Sequence, residues 1–299
     1  MLIDFVPLSP VFLLRRLRHS RRPPAAPPAN VAVGIARLGG SSAFIGKVIL
    51  LGTTNSGICF PNILKINNVD NSGIRFDTGA RTALFMFYRN PSADMLLKES
   101  DLDLHLIKKV SCFPMILICD FLPWPSADAA REGIKSIWEY ADVIKVSEQE
   151  ISFLTGGEDP YSDEVVYNKL FHDNLKLLVV TEGEKGCRYY TKVYANITLV
   201  INWRKGVKFH GRVGGFKVKA VDTTGAGDSF VSGLLVHLAS NLDIYQDEKK
   251  LKEALVFANA CGAITVTERG AIPSLPTKEA VLDFIPKGNE QPHYLCLIS

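Results

Sequence analysis

Short apolar runs alternate with amphipathic segments along most of this chain, and that alternation constrains its fold more than any other feature. Residues 175–180 form an apolar run interrupted only by Lys176, which predicts a strand buried on both faces. Further strands are predicted over residues 142–146, 187–192 and 216–221. Because strands that alternate with helices are typical of α/β proteins, we expect a mostly parallel sheet.

Polar capping residues mark several of the predicted helices. Ser126 can cap a helix that runs to about residue 140. Ser147 and Glu150 have the spacing of a capping box ahead of a short helix that ends near Gly156. Other helices are predicted over residues 163–172, after Gly227, over residues 250–267 and from Thr277 onward.

Composition excludes several classes of protein. The chain has 299 residues and a net charge of only +3, from 34 basic and 31 acidic residues, which does not favour binding to nucleic acid. No apolar run approaches the roughly 20 residues of a membrane span. The six cysteines lack the spacing of a zinc site or a disulfide framework, so reduced thiols in an intracellular protein are expected.

The first 29 residues differ in composition from the rest. A predicted first strand is followed by five arginines and a proline-rich run, which together indicate an irregular segment. The basic residues follow the apolar stretch, the reverse of a secretory signal, and an organelle transit peptide is the alternative interpretation. We expect this segment over residues 1–29, one domain over 30–285, and an irregular tail over 286–299.

The strongest chemical signal is a strand–turn–helix motif that extends from Asp222 to Asp228. The small residues Gly225, Ala226 and Gly227 would let a phosphate approach the N–H groups at the start of a helix. A carboxylate beside such an anion hole suits a general base that takes a proton from an attacking hydroxyl group. The alternative role for Asp228 is a helix cap.

This motif resembles the C-terminal motif of the ribokinase/pfkB family of sugar kinases, and longer segments resemble the plant fructokinases within it. Those segments are residues 30–40, 89–97, 124–130, 150–156 and 272–276. The resemblance implies a ribokinase-like three-layer sandwich, with a mostly parallel central sheet flanked by helices and a small, truncated β lid. It also implies ATP-dependent phosphorylation of fructose to fructose 6-phosphate in the cytoplasm, with the plastid as the alternative location.

The resemblance assigns roles to individual residues. Asp228 would be the catalytic base, and Gly225, Ala226 and Gly227 would supply the anion hole. The implied sugar-binding residues are Asp4 and Asn30. The implied nucleotide-side residues are Thr181, Gly183, Gly186, Glu150 and Asn259, of which Glu150 would help to position Mg²⁺. Asp222 and Thr224 match positions that bind a monovalent cation such as K⁺ in many members of the family.

Several of these residues also have a structural interpretation. Asp222 and Thr224 can cap the end of a strand, and Asn259 can be a packing contact in a helix of small residues. Ser147 stands where the family has Asn, and with Glu150 it can serve as a capping box alone. These alternatives remain open at the level of sequence.

The departures from the family fall mostly on the sugar-binding half. Pro27 and Pro28 stand near a loop that the family builds with glycines, and residues 49–54 replace an expected acidic, glycine-containing segment. Residues 82–89 are too few for two lid strands, whereas residues 193–208 resemble inserted sequence. A catalytically weak fructokinase-like protein with a nucleotide-binding or regulatory role is therefore the alternative function. A homodimer through the lid is expected if the lid forms.

Overall fold

A computed structural model describes residues 2–3, 27–49, 56–77, 83–84, 115–117, 126–192 and 207–289. The chain forms two compact units. Unit one consists of Met1–Ser111, Lys217–Val236 and Ala260–Gly288. Unit two consists of Cys112–Phe216, His237–Asn259 and Asn289–Ser299.

Strands and helices alternate through the described part of the chain. The strands are β1 (Leu2–Ile3), β2 (Ala43–Ile49), β3 (Asp70–Asp77), β4 (Ala83–Leu84), β5 (Met115–Leu117), β6 (Val143–Ser147), β7 (Leu177–Thr181), β8 (Cys187–Lys192) and β9 (Val207–Val213). The helices are α1 (Pro27–Arg37), α2 (Ser56–Ile66), α3 (Ala127–Trp138), α4 (Glu148–Thr155), α5 (Asp163–Val165), α6 (Ala226–Ser240), α7 (Glu248–Thr265), α8 (Ala271–Ser274) and α9 (Lys278–Asn289). No helix within these described ranges is long and apolar enough to cross a membrane.

Unit two contains a five-stranded sheet in the order β5-β6-β7-β8-β9. The first three strands are parallel, and β8 and β9 continue the sheet in antiparallel fashion. Ile144 in β6 and Leu178 and Val180 in β7 have no exposed surface. This burial confirms the prediction of a covered strand near residues 175–180.

Helix α4 begins and ends where its sequence predicts. The backbone N–H of Glu150 donates to Ser147 Oγ at 3.3 Å, and the Ser147 N–H donates to Glu150 Oε2 at 2.5 Å. Gly156 ends the helix in the left-handed conformation, with φ of 79°. The capping box is therefore confirmed, and it fixes Glu150 at the carboxyl end of β6.

Unit one packs α1 closely against other segments of the same unit. A side chain at Gly34 would place its Cβ 2.2 Å from Ser232 Oγ, so this crossing of α1 and α6 requires glycine. Arg37, at the end of α1, donates to the carbonyl oxygens of Ile272 and Leu275 at 2.7 and 2.8 Å. The parallel pair β2 and β3 belongs to the same unit.

Residues 216–221 do not form the predicted strand. In the structure this segment has no place in a strand ladder of the described residues, and Val221 is 52% exposed. The N–H groups of Val221 and Asp222 instead donate to the Val266 carbonyl at 2.7 and 3.2 Å. An alternating apolar pattern predicts an extended backbone, but it carries no information about a pairing partner.

Three predicted boundaries also differ. Helix α9 runs to Asn289, so residues 286–289 are helical and do not belong to the irregular tail predicted over residues 286–299. The helix predicted over residues 163–172 begins as α5 and continues as a π-helical turn over Val166–Leu170, which buries both Val166 and Leu170. Helix α1 begins at Pro27, so residues 27–29 are helical and not irregular. Proline is tolerated there because the first helical N–H has no intrahelical acceptor.

Candidate active site

The loop before α6 is held by the carboxylate of Asp222. Its Oδ1 accepts hydrogen bonds from the Thr224 N–H at 3.0 Å and from Thr224 Oγ1 at 2.7 Å. Its Oδ2 accepts from the Gly270 N–H at 2.9 Å. Burial acts to raise the pKa of Asp222, but the bonds from Gly270 and Thr224 outweigh it and leave the pKa below its ordinary value. Asp222 is therefore a charged carboxylate that orders the turn.

Gly225 is required at the last position before α6. Its φ is +83°, a left-handed conformation that favours glycine. A Cβ at this position would lie 2.7 Å from the Cβ of Ala271. The turn therefore depends on glycine for both its conformation and its space.

The first amide groups of α6 are not equivalent. The Ala226 N–H donates to the Thr223 carbonyl at 3.2 Å, and the Ser229 N–H donates to the Gly225 carbonyl at 2.8 Å. The Gly227 N–H has no backbone acceptor within the described part of the chain, and Gly227 is exposed. Of the amides predicted to form the anion hole, those of Gly225 and Gly227 therefore have no backbone acceptor among the described residues, whereas that of Ala226 is already used.

Asp228 lies in the first turn of α6 and meets a residue that is 198 positions away in sequence. Asn30 Nδ2 on α1 donates to Asp228 Oδ2 at 2.8 Å. Asn30 is only 2% exposed, and its Oδ1 is buried without a hydrogen-bond partner among the described residues. A buried acceptor left unsatisfied is costly, which indicates a ligand donor at this position.

The same two helices are joined by a residue that the sequence did not single out. Ser232 Oγ lies 2.8 Å from the Asp228 carbonyl oxygen and 3.1 Å from the Val31 carbonyl oxygen. It therefore fixes the approach of Asn30 to Asp228. The only signal in the sequence was the small residue one helical turn after Asp228, and its partner lies too far away in sequence to be predicted.

The implied nucleotide-side residues lie in unit two. Thr181 ends β7, and the 3-10 turn Gly183–Lys185 joins it to β8. Gly183 and Gly186 both have positive φ, 57° and 92°. A Cβ at Gly186 would lie 2.1 Å from the Val213 carbonyl oxygen, so the turn packs backbone to backbone against residues 213–215.

Asn259 and Glu150 are both engaged by neighbouring groups of unit two. Asn259 Nδ2 donates to the carbonyl oxygens of Val213 and Gly214 at 3.3 and 3.1 Å, which fits its packing interpretation. Glu150 Oε2 is taken by the capping box and lies 3.8 Å from Nζ of the buried Lys145, a residue that the sequence did not single out. Glu150 Oε1 has no hydrogen-bond partner in the described ranges.

The remaining predictions fall partly outside the described residues. Asp4 lies there, and so do most of residues 82–89 and 193–208. Cys187 and Cys261 are buried free thiols, and burial raises the pKa of Cys187 to about 12. In the described part of the chain no cluster of three or more His, Cys, Asp or Glu side chains could hold a metal ion.

Comparisons with known proteins place the whole chain beside carbohydrate kinases. The sequence matches the pfkB family carbohydrate kinase over residues 102–278. It is 53% identical to probable fructokinase-7 of Arabidopsis thaliana over 327 residues, which cover 95% of this chain and 90% of the relative. It is 46% identical to fructokinase-2 of Zea mays, with coverage of 97% and 93%.

Solved structures extend the comparison. Fructokinase from Vibrio cholerae O395, crystallised with fructose, ADP and calcium ion, has a TM-score of 0.77 at 28% identity and covers 95% of this chain and 96% of that one. Fructokinase from Xylella fastidiosa with bound ATP has a TM-score of 0.76 at 24% identity, with coverage of 97% and 96%. The predicted ribokinase-like α/β fold is confirmed.

The fold and the relatives define a kinase that acts on carbohydrates, a transferase whose acceptor is an alcohol group. This chain belongs to the pfkB family of carbohydrate kinases. The alignment with the Arabidopsis relative extends over 327 positions, more than the 299 residues of this chain, so that relative has residues with no counterpart here.

Proposed function

We propose that this protein transfers the γ-phosphoryl group of ATP to fructose and forms fructose 6-phosphate, with Asp228 as the general base. The contact between Asn30 and Asp228 carries the proposal, because it places a carboxylate beside a buried acceptor that has no protein donor. A sugar offers adjacent hydroxyl groups. One can donate to Asn30 Oδ1 while another is oriented toward Asp228.

The reaction then needs one proton acceptor and one site for negative charge. Asp228 takes the proton of the sugar hydroxyl group while the oxygen of that hydroxyl attacks the γ-phosphorus of ATP. The bond between the γ-phosphorus and the bridging oxygen breaks, and ADP leaves. The proton stays on Asp228 until solvent removes it.

The start of α6 stabilises charge on the transferring group. The Gly227 N–H belongs to the first turn of α6, where the helix dipole adds partial positive charge. Because the Ala226 N–H donates to Thr223, we assign the larger part of this role to the N–H groups of Gly225 and Gly227. Gly225 and Ala226 keep side chains out of the way, so that a phosphate can approach the helix end.

On the nucleotide side we assign Thr181, Gly183 and Gly186 to the turn that contacts ATP. Gly183 is exposed and has no atom within 4 Å of an added Cβ, so a phosphate or a ribose can approach the backbone there, whereas the buried Gly186 packs against residues 213–215. Asn259 supports this turn indirectly, because it holds residues 213–214, against which Gly186 packs. Asp4 keeps its proposed role as a second sugar contact.

The residues present also fit the expected cations. Glu150 Oε1 is available to hold Mg²⁺, directly or through water, and Mg²⁺ would neutralise phosphate charge. Asp222 is a charged carboxylate with three hydrogen bonds, which leaves one lone pair for a monovalent cation such as K⁺ beside Thr224. Such a cation would add positive charge near the anion hole.

The experiment is a measurement of ADP release by the purified protein with fructose, glucose, ribose and adenosine as acceptors, each with ATP, Mg²⁺ and K⁺. We expect fructose to give the highest kcat/KM, since the relatives at about half identity are named fructokinases. A higher kcat/KM with ribose or adenosine than with fructose would overturn the choice of fructose as substrate, but it would not change the assignment to the pfkB family.

A second function is favoured by the positions of the relative that have no counterpart in this chain. A protein short of sugar-side segments can retain its nucleotide turn and act as a nucleotide-binding or regulatory partner. Binding of ATP without sugar-dependent turnover, measured on the same preparation, would support this alternative. Fructose-dependent turnover would exclude it.

For location we propose the cytoplasm, with the plastid as the alternative. One relative at 54% identity is named a chloroplastic fructokinase from Arabidopsis thaliana, which supports the alternative. Imaging of the full chain with a C-terminal fluorescent tag distinguishes the two.

A further inference from the structure

A buried ion pair lies beside the turn that we assign to ATP. The side chains of Glu182 and Arg188 are 1% and 2% exposed, and Arg188 Nε lies 2.7 Å from Glu182 Oε1 without hydrogen-bond alignment. Glu182 precedes Gly183, and Arg188 follows Gly186 by two residues. The pair therefore spans the two ends of the turn.

The pair is embedded in further polar contacts of unit two. Arg188 NH1 lies 2.9 Å from Tyr190 Oη, 3.1 Å from Asp163 Oδ1 and 3.2 Å from the Tyr161 carbonyl oxygen. Its NH2 donates to the Pro160 carbonyl. Arg188 thus connects the turn to residues 160–163, which lie on a different segment of the chain.

A partly exposed cation completes the network. Arg212 NH1 on β9 donates to Glu182 Oε2 at 2.5 Å, and the Arg212 side chain is 57% exposed. Two arginines therefore face Glu182 and Asp163, so that the charges of the network cancel. The buried carboxylate of Glu182 needs these positive charges, because removal of one partner of a buried ion pair leaves the other partner as an uncompensated buried charge.

The geometry of the turn leaves it little freedom. The Glu182 N–H donates to the Gly186 carbonyl at 2.8 Å, and the Gly186 N–H donates to the Gly183 carbonyl at 3.1 Å. A Cβ at Gly215 would lie 2.3 Å from the Glu184 carbonyl oxygen. A small change in the orientation of the Glu182 side chain would therefore move the backbone of residues 183–186, which we assign to the contact with ATP.

We propose that Glu182 and Arg188 are positioning residues for ATP, which hold the turn from Gly183 to Gly186 in the geometry that binds the nucleotide. This inference rests on the proposed function, in which that turn contacts ATP. Neither side chain has the exposure to touch the nucleotide itself. Their effect acts through the backbone between them.

The experiment measures the dissociation constant of ATP by calorimetry for three variants. Arg188→Lys keeps the positive charge but loses the guanidinium hydrogen bonds to residues 160–163 and Tyr190. The double variant Glu182→Gln/Arg188→Met removes both charges of the pair together. Arg212→Met removes only the exposed partner. Lys169→Met is the matched control, since it breaks the exposed pair of Lys169 with Glu158 in the same unit.

We expect Arg188→Lys and the double variant to raise the ATP dissociation constant at least about tenfold, a change that corresponds to roughly 1.4 kcal/mol. Arg212→Met should raise it less, and Lys169→Met should leave it within about twofold of the wild type. In turnover assays KM for ATP should rise while KM for fructose stays constant. A merely structural role would not produce that split.

Folded variants that bind ATP as tightly as the wild type would overturn the inference. So would loss of folding in all three variants, because a network needed for folding even at the half-exposed Arg212 would be structural and not positional. ATP binding is measured without sugar. A protein that binds ATP but does not phosphorylate fructose would therefore contradict the proposed function and leave this test intact.

Discussion

Two buried asparagines, Asn30 in unit one and Asn259 in unit two, differ in the groups that their side-chain amides contact. Asn259 Nδ2 donates to two backbone carbonyls, so its donor group is consumed by the protein. Asn30 Nδ2 meets the carboxylate of Asp228, and its Oδ1 is buried with no donor among the described residues. We infer from the comparison that a buried acceptor without a donor beside a carboxylate is a candidate contact for substrate, whereas an amide N–H group bonded to backbone carbonyls belongs to the scaffold.

The largest effect is expected from Asp228→Asn, which removes the proposed general base beside Asn30. General base catalysis contributes about 10²–10⁴-fold, so fructose-dependent kcat should fall by a factor in that range. Thermal unfolding should change little. The matched control is Asp283→Asn on the exposed face of α9, which should retain kcat, and equal losses in both variants would contradict the assignment.

The next effect tests the turn that precedes Asp228. Gly225→Ala combines an unfavourable φ with a clash against Ala271, and overpacking of this kind costs about 1–3 kcal/mol. Gly39→Ala is the control, because Gly39 has a similar φ of 86° but no atom within 4 Å of its added Cβ. Chemical denaturation of both variants isolates the clash. If Gly225→Ala lowers the free energy of unfolding less than Gly39→Ala does, the predicted clash with Ala271 is refuted.

The comparison of the two asparagines is tested directly by a pair of matched substitutions. Asn30→Leu should lower kcat/KM for fructose by about tenfold or more with a small change in stability, because it removes a substrate acceptor. Asn259→Leu should instead lower the free energy of unfolding by about 1–3 kcal/mol, because two backbone carbonyls lose their donor. Denaturation and steady-state kinetics on both variants check this. Reversed outcomes would break the comparison.

The smallest effect concerns the pH dependence of stability. The pKa of Asp222 is lowered in the folded state, so its charged form stabilises the fold above the unfolded pKa, and that contribution is lost as the pH falls through the folded pKa. The difference in stability between the wild type and Asp222→Asn should therefore be largest near neutral pH and shrink below about pH 4. A difference that stays constant across this range would contradict the role of the charge.

Local parts of the molecule were predictable from the sequence. The capping box of α4 was predicted because both of its partners lie within four residues of each other. Residues 216–221 were wrongly predicted as a strand, since their alternating pattern does not say whether a neighbouring strand exists.

The candidate site was predictable only in part. The motif from Asp222 to Asp228 indicates an anion site and a base by itself, because its residues are contiguous. The role of Asn30 came from resemblance alone, because its partner lies 198 positions away. The pair of Glu182 and Arg188 gave no sequence signal, since nothing local distinguishes a buried charged residue from an exposed one.

The central claim is that Asp228 activates a sugar hydroxyl for phosphoryl transfer, and direct detection of the product tests it best. Fructose 6-phosphate and ADP are quantified together by mass spectrometry after incubation of the wild type or Asp228→Asn with ATP and fructose. The account predicts one sugar phosphate for each ADP with the wild type, and a yield of fructose 6-phosphate lower by a factor of about 10²–10⁴ with Asp228→Asn at the same incubation time. Equal yields of fructose 6-phosphate from the two proteins would contradict it.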